Sequence, residues 1–136
     1  MEEHFLAHLL QEKAEFRPEP WYNPHGDCIV FQMADEAVVA DRIDELLTIY
    51  RSALDNRPIG YQIKGVAAII KEFGLDGLTV EAESDAKVVR RISVRLLLLA
   101  AYDHGPRTPN RRKAYAAAME YPAETRTFTA DELQPA

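Results

Sequence analysis

The chain has 136 residues and a net charge of −6 at neutral pH, and this length suffices for one hydrophobic core but is short for two. The longest apolar run, residues 96–102, is far too short to cross a bilayer, and the acidic start of the chain is unlike a secretion signal. A single cysteine, Cys28, excludes an intrachain disulfide. These features predict one cytoplasmic domain that spans residues 1–136 and has no membrane partner.

The first predicted elements are a helix and a group of short strands. Residues 3–15 carry apolar side chains at helical spacing, which predicts an amphipathic N-terminal helix. Three prolines between residues 18 and 24 then favour an extended connector. Residues 36–44 fit either a strand or a helical turn. Clear alternation of apolar and polar side chains predicts strands at three places, residues 28–33, 46–51 and 59–64.

Helices are expected after this sheet. Residues 66–73 predict a short helix that stops at Gly74, and residues 78–81 predict a brief strand. Residues 85–103 predict a long helix with Ser84 as its N-cap. The end of that helix, residues 96–101, is apolar all round, so we expect it to be buried in the fold or in a subunit contact.

The last predicted helix begins at Thr108 and Pro109, an N-cap residue followed by proline at the first helical position. It ends near Tyr121, and residues 122–136 are predicted to be a loose tail. The fold class is therefore α+β. We expect a short antiparallel β-meander of about three or four strands over residues 22–66. Three C-terminal helices over residues 67–121 are expected to pack against it.

Three stretches follow the order of a known family pattern: Tyr22–Val30, Leu46–Tyr50 and Ile59–Val66. Together they resemble the bacterial domain of unknown function 2283 family, in which a tyrosine, a turn and an aspartate precede an apolar strand. A second apolar strand and a Gly-x-x-Ile strand that leads into a helix complete the family's pattern. This sequence departs from it at Asn23, where an aspartate is usual, and in the longer loop at residues 52–58. The resemblance implies a β-meander followed by a helix, and it implies no activity.

A group of three chemically versatile side chains lies in the turn before the first predicted strand: His25, Asp27 and Cys28. Imidazole, carboxylate and thiolate groups are metal ligands, and a thiol near an imidazole is a candidate nucleophile. The spacing matches no zinc pattern, however, and a free cysteine usually packs as a small apolar residue. We therefore expect Asp27 to cap the turn and no cofactor to be bound. A small metal- or thiol-dependent enzyme remains the third class of function.

An acidic stretch precedes the strand at residues 46–51. Neighbouring carboxylates can support acid–base or metal chemistry. A charged edge also discourages strand pairing with other chains. The sequence favours a solvated edge for the five acidic residues, which are Asp35, Glu36, Asp41, Asp44 and Glu45.

Positive charge is concentrated in residues 87–113, which hold eight lysines or arginines and one acidic residue, Asp103. If the last two predicted helices pack as a hairpin, these side chains form a patch suited to phosphates or an acidic partner. Few aromatic side chains lie among them to stack on bases. The plainer interpretation pairs the arginines with acidic residues of the same subunit or across a dimer. The candidate binding residues are Arg90, Arg91, Arg95, Arg111, Arg112 and Lys113.

The functional hypothesis that best fits these features is a non-enzymatic protein-binding or regulatory module. Its partner would be a second copy of the chain, bound through the apolar residues 96–101, or another protein. The alternative is a nucleic-acid-associated protein that uses the basic residues 87–113. Because nucleic-acid binding through phosphate contacts weakens steeply with salt, the two hypotheses differ in a measurable property.

Overall fold

The computed structural model of the chain describes residues 18–84, 87–120 and 127–136. The predicted N-terminal helix at residues 3–15 lies outside these ranges, as do Asp85 and residues 122–126. The described residues form an α+β fold with two antiparallel sheets and three α-helices. The α+β prediction is confirmed at this level.

The larger sheet has the strand order β1-β2-β5-β4-β3, with every neighbouring pair antiparallel. The three predicted strands are confirmed as β2, β4 and β5, with bounds shifted by at most one residue, and the ambiguous segment contains β3. The sheet is larger than the predicted three or four strands because short edge strands flank it on both sides. The predicted meander is also corrected, because β2 pairs with β5 rather than with β3. The five strands are β1 (Trp21–Asn23), β2 (Cys28–Gln32), β3 (Val38–Arg42), β4 (Leu47–Ser52) and β5 (Pro58–Lys64).

One face of this sheet supplies much of the hydrophobic core. Alternate residues of the central strands, such as Ile29, Ile49 and Ile63, are fully buried there, as the period of a strand requires. Strands β2 and β5 approach closely at Gly60, where an added Cβ would lie 2.1 Å from the carbonyl oxygen of Phe31. Only glycine fits at that point.

Helix α1 (Val66–Phe73) follows β5 directly and ends at Gly74, as predicted. Because β2 pairs with β5, the turn before β2 lies next to the start of α1. The carboxylate of Asp27 accepts a hydrogen bond from the backbone N–H of Ala67 at 3.0 Å, where a negative charge suits the helix dipole. The Tyr22 hydroxyl donates to the same carboxylate at 2.6 Å. Asp27 therefore caps this helix from a distant turn.

The long helix predicted for residues 85–103 is wrong in its first half. Residues 79–93 contain instead the strands β6 (Thr79–Ser84) and β7 (Lys87–Ser93), which pair with each other. This stretch is rich in β-branched residues, which favour strands. Its apolar residues happen to recur at a spacing that also fits a helix, and the pairing decides between the two.

Helix α2 (Val94–Asp103) begins where β7 ends, and its N-cap is Ser93 rather than the predicted Ser84. The hydroxyl of Ser93 accepts a hydrogen bond from the backbone N–H of Leu96 at 3.3 Å. Helix α3 (Pro109–Glu120) starts as predicted, because the Thr108 hydroxyl accepts from the backbone N–H of Arg111 at 3.3 Å. Helix α2 contacts both α1 and α3.

The predicted loose tail is corrected for residues 127–136. Strand β8 (Thr127–Phe128) pairs with β7 to complete the smaller sheet, and Phe128 and Leu133 are each 2% exposed. These two side chains join a hydrophobic core that includes residues of both sheets and all three helices. None of the helices within the described ranges has the length and apolar character needed to cross a membrane.

Candidate functional site

Arg111, one of the predicted binding residues, is buried in the structure with 6% of its surface exposed. Its Nε donates a hydrogen bond to Oδ2 of Asp44 at 2.9 Å. Its Nη2 donates to the carbonyls of Ala101 and Tyr102 at 3.2 Å and 3.1 Å, and its Nη1 donates to the carbonyl of Pro106. The last carbonyls of a helix lack helical donors. Arg111 therefore caps the C-terminal end of α2.

Asp44, which lies in the loop between β3 and β4, accepts four hydrogen bonds. Its Oδ1 accepts from the backbone N–H groups of Leu46 and Leu47 at 2.8 Å and 2.7 Å. Its Oδ2 accepts from Arg111 and from the hydroxyl of Tyr115 at 2.9 Å. We refer to the three side chains Asp44, Arg111 and Tyr115 as the polar node.

The electrostatics of the polar node favour a structural role. Partial burial acts to raise the pKa of Asp44, but the hydrogen bonds from Leu47, Arg111, Leu46 and Tyr115 outweigh it and lower the pKa. Burial raises the pKa of the Tyr115 hydroxyl, and its bond to Asp44 raises it further. A saturated carboxylate and a hydroxyl that holds its proton tightly are poor acids, bases and nucleophiles at neutral pH.

A cleft of about 420 Å³ adjoins the polar node. Its polar lining includes Asp44 and Arg111, whose hydrogen bonds are directed into the protein, and the exposed side chains of Glu45 and His104. Nδ1 of His104 lies 3.4 Å from a carboxylate oxygen of Glu72 at the surface. The buried charges of the cleft are thus held by the protein itself, and its remaining titratable side chains, Glu45 and His104, lie at the exposed surface.

The structure divides the six predicted basic residues among three elements. Arg90 and Arg91 lie on β7, where consecutive side chains point to opposite faces of the sheet. Arg90 pairs with Asp76 at 2.7 Å, and Arg91 contacts the hydroxyl of Thr127 at 2.9 Å. This corrects the expectation that these two arginines share a helix with Arg95.

The remaining basic candidates are exposed at helix surfaces. Arg95 lies in the first turn of α2, while Arg112 and Lys113 follow the buried Arg111 on α3. Since Arg111 is directed into the polar node, it does not contribute to a surface patch with its neighbours. The pairing within the subunit that the sequence suggested is seen for Arg90, Arg91 and Arg111.

The three residues considered for metal or thiol chemistry have separate roles. The carboxylate of Asp27 is occupied at the start of α1, and Cys28 is buried with its Sγ 3.3 Å from Nε2 of Gln62. His25 is exposed. In the described ranges, no three His, Cys, Asp or Glu side chains are placed to hold a metal ion together.

A different surface lies on the other side of α2. A shallow groove of about 450 Å³ runs between this helix and the end of α1. Leu99 and Phe73 line it while 42% and 37% exposed, and the buried Leu78 also lines it. We refer to this surface as the apolar groove, defined by Phe73, Leu78, Leu96, Leu99 and Tyr102.

Charged residues accompany the apolar groove. The exposed side chains of Asp103 and Arg107 also line it, and they form an ion pair at 3.2 Å. A polar border around exposed apolar side chains is a feature that this groove shares with interaction sites on protein surfaces. The apolar run at residues 96–101 was the signal in the sequence for this surface. Phe73 gave no such signal, because only the packing of α1 against α2 places it there.

Comparisons of the chain with protein-family models, with curated proteins and with solved structures find no match.

Proposed function

We propose that this protein is a non-enzymatic protein-binding module whose binding surface is the apolar groove. The observation that carries this proposal is that Leu99 and Phe73 line the same groove while more than a third of each side chain remains exposed. Covering the exposed part of each side chain would contribute about 1 kcal/mol to binding. A partner that fills the groove therefore gains affinity from surface that the fold leaves in water.

The polar node supports the non-enzymatic part of the proposal. Its carboxylate, guanidinium and hydroxyl groups bond to one another and to backbone groups of α2, of β4 and of the adjoining loops. Those bonds explain how Arg111, the most buried charged residue among those that the structure describes, is stabilised inside the protein. In an active site, such groups keep a hydrogen-bonding position open for a substrate. Here other groups of the protein occupy the hydrogen-bonding positions of all three side chains.

The same contacts weigh against the nucleic-acid alternative. Arg111 is turned inward, and Arg90 and Arg91 have acidic partners in Asp76 and Glu132. A phosphate-binding surface needs several basic side chains directed outward along one track. The apolar groove is instead suited to a protein surface with complementary apolar side chains.

Site-specific photo-crosslinking tests the proposal. Benzoylphenylalanine is placed at position 99 of the full chain in cells that produce the protein naturally. The matched control carries the same group at Leu54, a leucine that is 81% exposed in the loop between β4 and β5. We expect irradiation to give a covalent protein adduct, identified by mass spectrometry, from position 99 and none from position 54.

Adducts that form equally at both positions, or at neither, would contradict the proposal. Circular dichroism of the two purified variants shows whether each has kept the native fold. Two further crosslinking positions, Phe73 and Leu96, extend the test across the groove. A binding surface should give the same adduct from at least one of them.

A further inference from the structure

We propose that the partner of the apolar groove is a second copy of this chain, with the two α2 helices packed antiparallel about a twofold axis at Leu99. This inference rests on the proposed function, because it names the partner of the same surface. It follows from the order of charges along α2, from the helix dipole and from the position of Leu99 in the helix.

The exposed face of α2 carries the stripe Arg95, Leu99 and Asp103, which are exposed and spaced four residues apart. Residues four apart lie on one face of a helix. Leu99 is at the middle of α2, and the two charged residues lie about 6 Å from it along the axis in opposite directions. An antiparallel copy centred on Leu99 therefore places Arg95 opposite Asp103 of the partner subunit. The twofold axis repeats this pairing, so two ion pairs flank two leucines.

The helix dipole gives an independent reason for the same arrangement. Arg95 lies in the first turn of α2 and Asp103 is its last residue, so each charge lies at the end where its own helix disfavours it. Each such placement costs about 0.3–1 kcal/mol in a helix that is exposed to water. Next to an antiparallel copy, each charge lies beside the opposite end of the partner's helix, where the dipole stabilises it. The dimer thus adds a favourable interaction with a helix dipole to the interaction that each charge already has within its own subunit.

Arg95 and Asp103 each also have an interaction within their own subunit, and these interactions do not prevent the pairing. The side chains of Asp103 and Arg107 are 61% and 71% exposed, Arg95 is exposed as well, and ion pairs between exposed side chains contribute little to stability. The apolar part of the contact is self-complementary, as a twofold interface requires, because Leu99 of each copy enters the groove of the other. Two ten-residue helices bury less surface than the roughly 1,200 Å² of a stable interface. We therefore expect a weak dimer that dissociates on dilution.

Sedimentation velocity of the full chain with charge-reversal variants tests the inference. Arg95→Glu or Asp103→Lys alone places like charges opposite each other twice, and we expect the dissociation constant to rise about tenfold or more. The double variant Arg95→Glu with Asp103→Lys restores opposite charges, and we expect it to dimerise nearly as well as the wild type. Each single change also places a charge where its own helix dipole favours it, which offsets the loss of the interaction that the native side chain has within its own subunit.

Three results would overturn the inference. One is a wild-type chain that stays monomeric at every concentration tested. Another is a dimer that the single reversals leave unchanged, and the third is a double variant that behaves like the single variants. The photo-crosslinks at position 99 separate this failure from failure of the proposed function. If the adduct contains a different protein, the proposed binding function stands and the proposed dimer is contradicted. If no specific adduct forms, both proposals are contradicted.

Discussion

The polar node and the apolar groove lie on two sides of the same helix, α2, and they use their residues in opposite ways. At the node, every hydrogen bond of the Arg111 guanidinium described above stays within the subunit. At the groove, Leu99 is held on the surface of a helix whose other side is fully buried. The difference shows that concentrated charge can serve the fold, while part of an apolar segment can stay at the surface, where we propose that it binds a partner. Variants that separate stability from association test this comparison.

The largest expected effect is that of Arg111→Met, which keeps the length of the side chain and removes its charge and donors. Asp44 loses an ionic partner, and the carbonyls of Ala101, Tyr102 and Pro106 each lose the hydrogen bond that Arg111 donates. Breaking one side of a buried ion pair costs about 3–5 kcal/mol. We expect urea denaturation to show a loss of that size in the free energy of unfolding.

The matched control is the double variant Asp44→Asn with Arg111→Met, which removes the charge that the single variant leaves unpaired. We expect the double variant to regain part of the lost stability, so that the two changes are not additive. Additive losses would show that Asp44 and Arg111 stabilise the fold independently, and the node would then not be a unit.

A smaller effect is expected from Gly105→Ala, in the turn after α2. An added Cβ would lie 2.9 Å from the guanidinium carbon and from one terminal nitrogen of Arg111. Since the guanidinium is held at four sites, it cannot move away without breaking a hydrogen bond. We expect a loss of about 1–3 kcal/mol by urea denaturation. A neutral result would mean that the node adapts more easily than its bonding suggests. Gly77→Ala is the control, because no atom lies within 4 Å of the corresponding Cβ.

Acid should weaken the node in a predictable direction. The folded-state pKa of Asp44 is lowered, so its contribution is complete above its unfolded-state pKa of about 4 and disappears as the pH falls through the folded value. We expect Asp44→Asn to lose stability at neutral pH and to show a smaller further loss in acid than the wild type.

The pH effect is judged from the difference in stability between the wild type and Asp44→Asn at each pH, because either curve alone also contains the effects of other groups. Hydrogen bonds from Arg57 lower the pKa of Asp55 as well, so Asp55 adds an acid dependence that both proteins share. Glu45 and His104, which line the cleft beside the node, are likewise present in both proteins. Parallel curves for wild type and variant would contradict the role assigned to the Asp44 carboxylate.

The smallest effect on stability is expected at the groove, with Leu99→Gln. The side chain is partly exposed and glutamine is a good helix former, so we expect a change of less than about 1 kcal/mol in the subunit. Urea denaturation at low protein concentration checks this value, with Leu54→Gln as the exposed control. A loss comparable to that of Arg111→Met would place Leu99 in the core and remove the contrast between the two regions.

The strands of the larger sheet could be predicted because their side chains alternate and their boundaries are local signals. Asp27 was predicted to cap its own turn, but its carboxylate caps α1 instead, because the pairing of β2 with β5 brings the turn to the start of that helix. The brief strand predicted at residues 78–81 is confirmed within β6. Residues 87–93 were assigned wrongly to a helix, because the spacing of Val88, Val89 and Ile92 fits a helix as well as a strand and pairing with β6 decides between them.

The polar node could not be predicted, because its members lie 67 and 71 residues apart along the chain. Asp44 was one of five acidic residues and Arg111 one of six basic candidates, and no local pattern distinguishes the buried pair from the exposed charges. The sequence indicated only one part of the groove. The apolar end of α2 was expected to be buried in the fold or in a subunit contact, and the structure buries most of it in the fold but leaves Leu99 exposed. The part supplied by Phe73 depends on how α1 packs.

The most direct test of the central claim is the thermal midpoint of unfolding, measured over a wide range of protein concentration. Association of folded subunits makes the midpoint rise with concentration. We expect this rise for the wild type and for Leu54→Gln, and a midpoint independent of concentration for Leu99→Gln. A wild-type midpoint that does not change with concentration, or the same rise in Leu99→Gln, would contradict the claim that copies of this chain bind each other through the apolar groove.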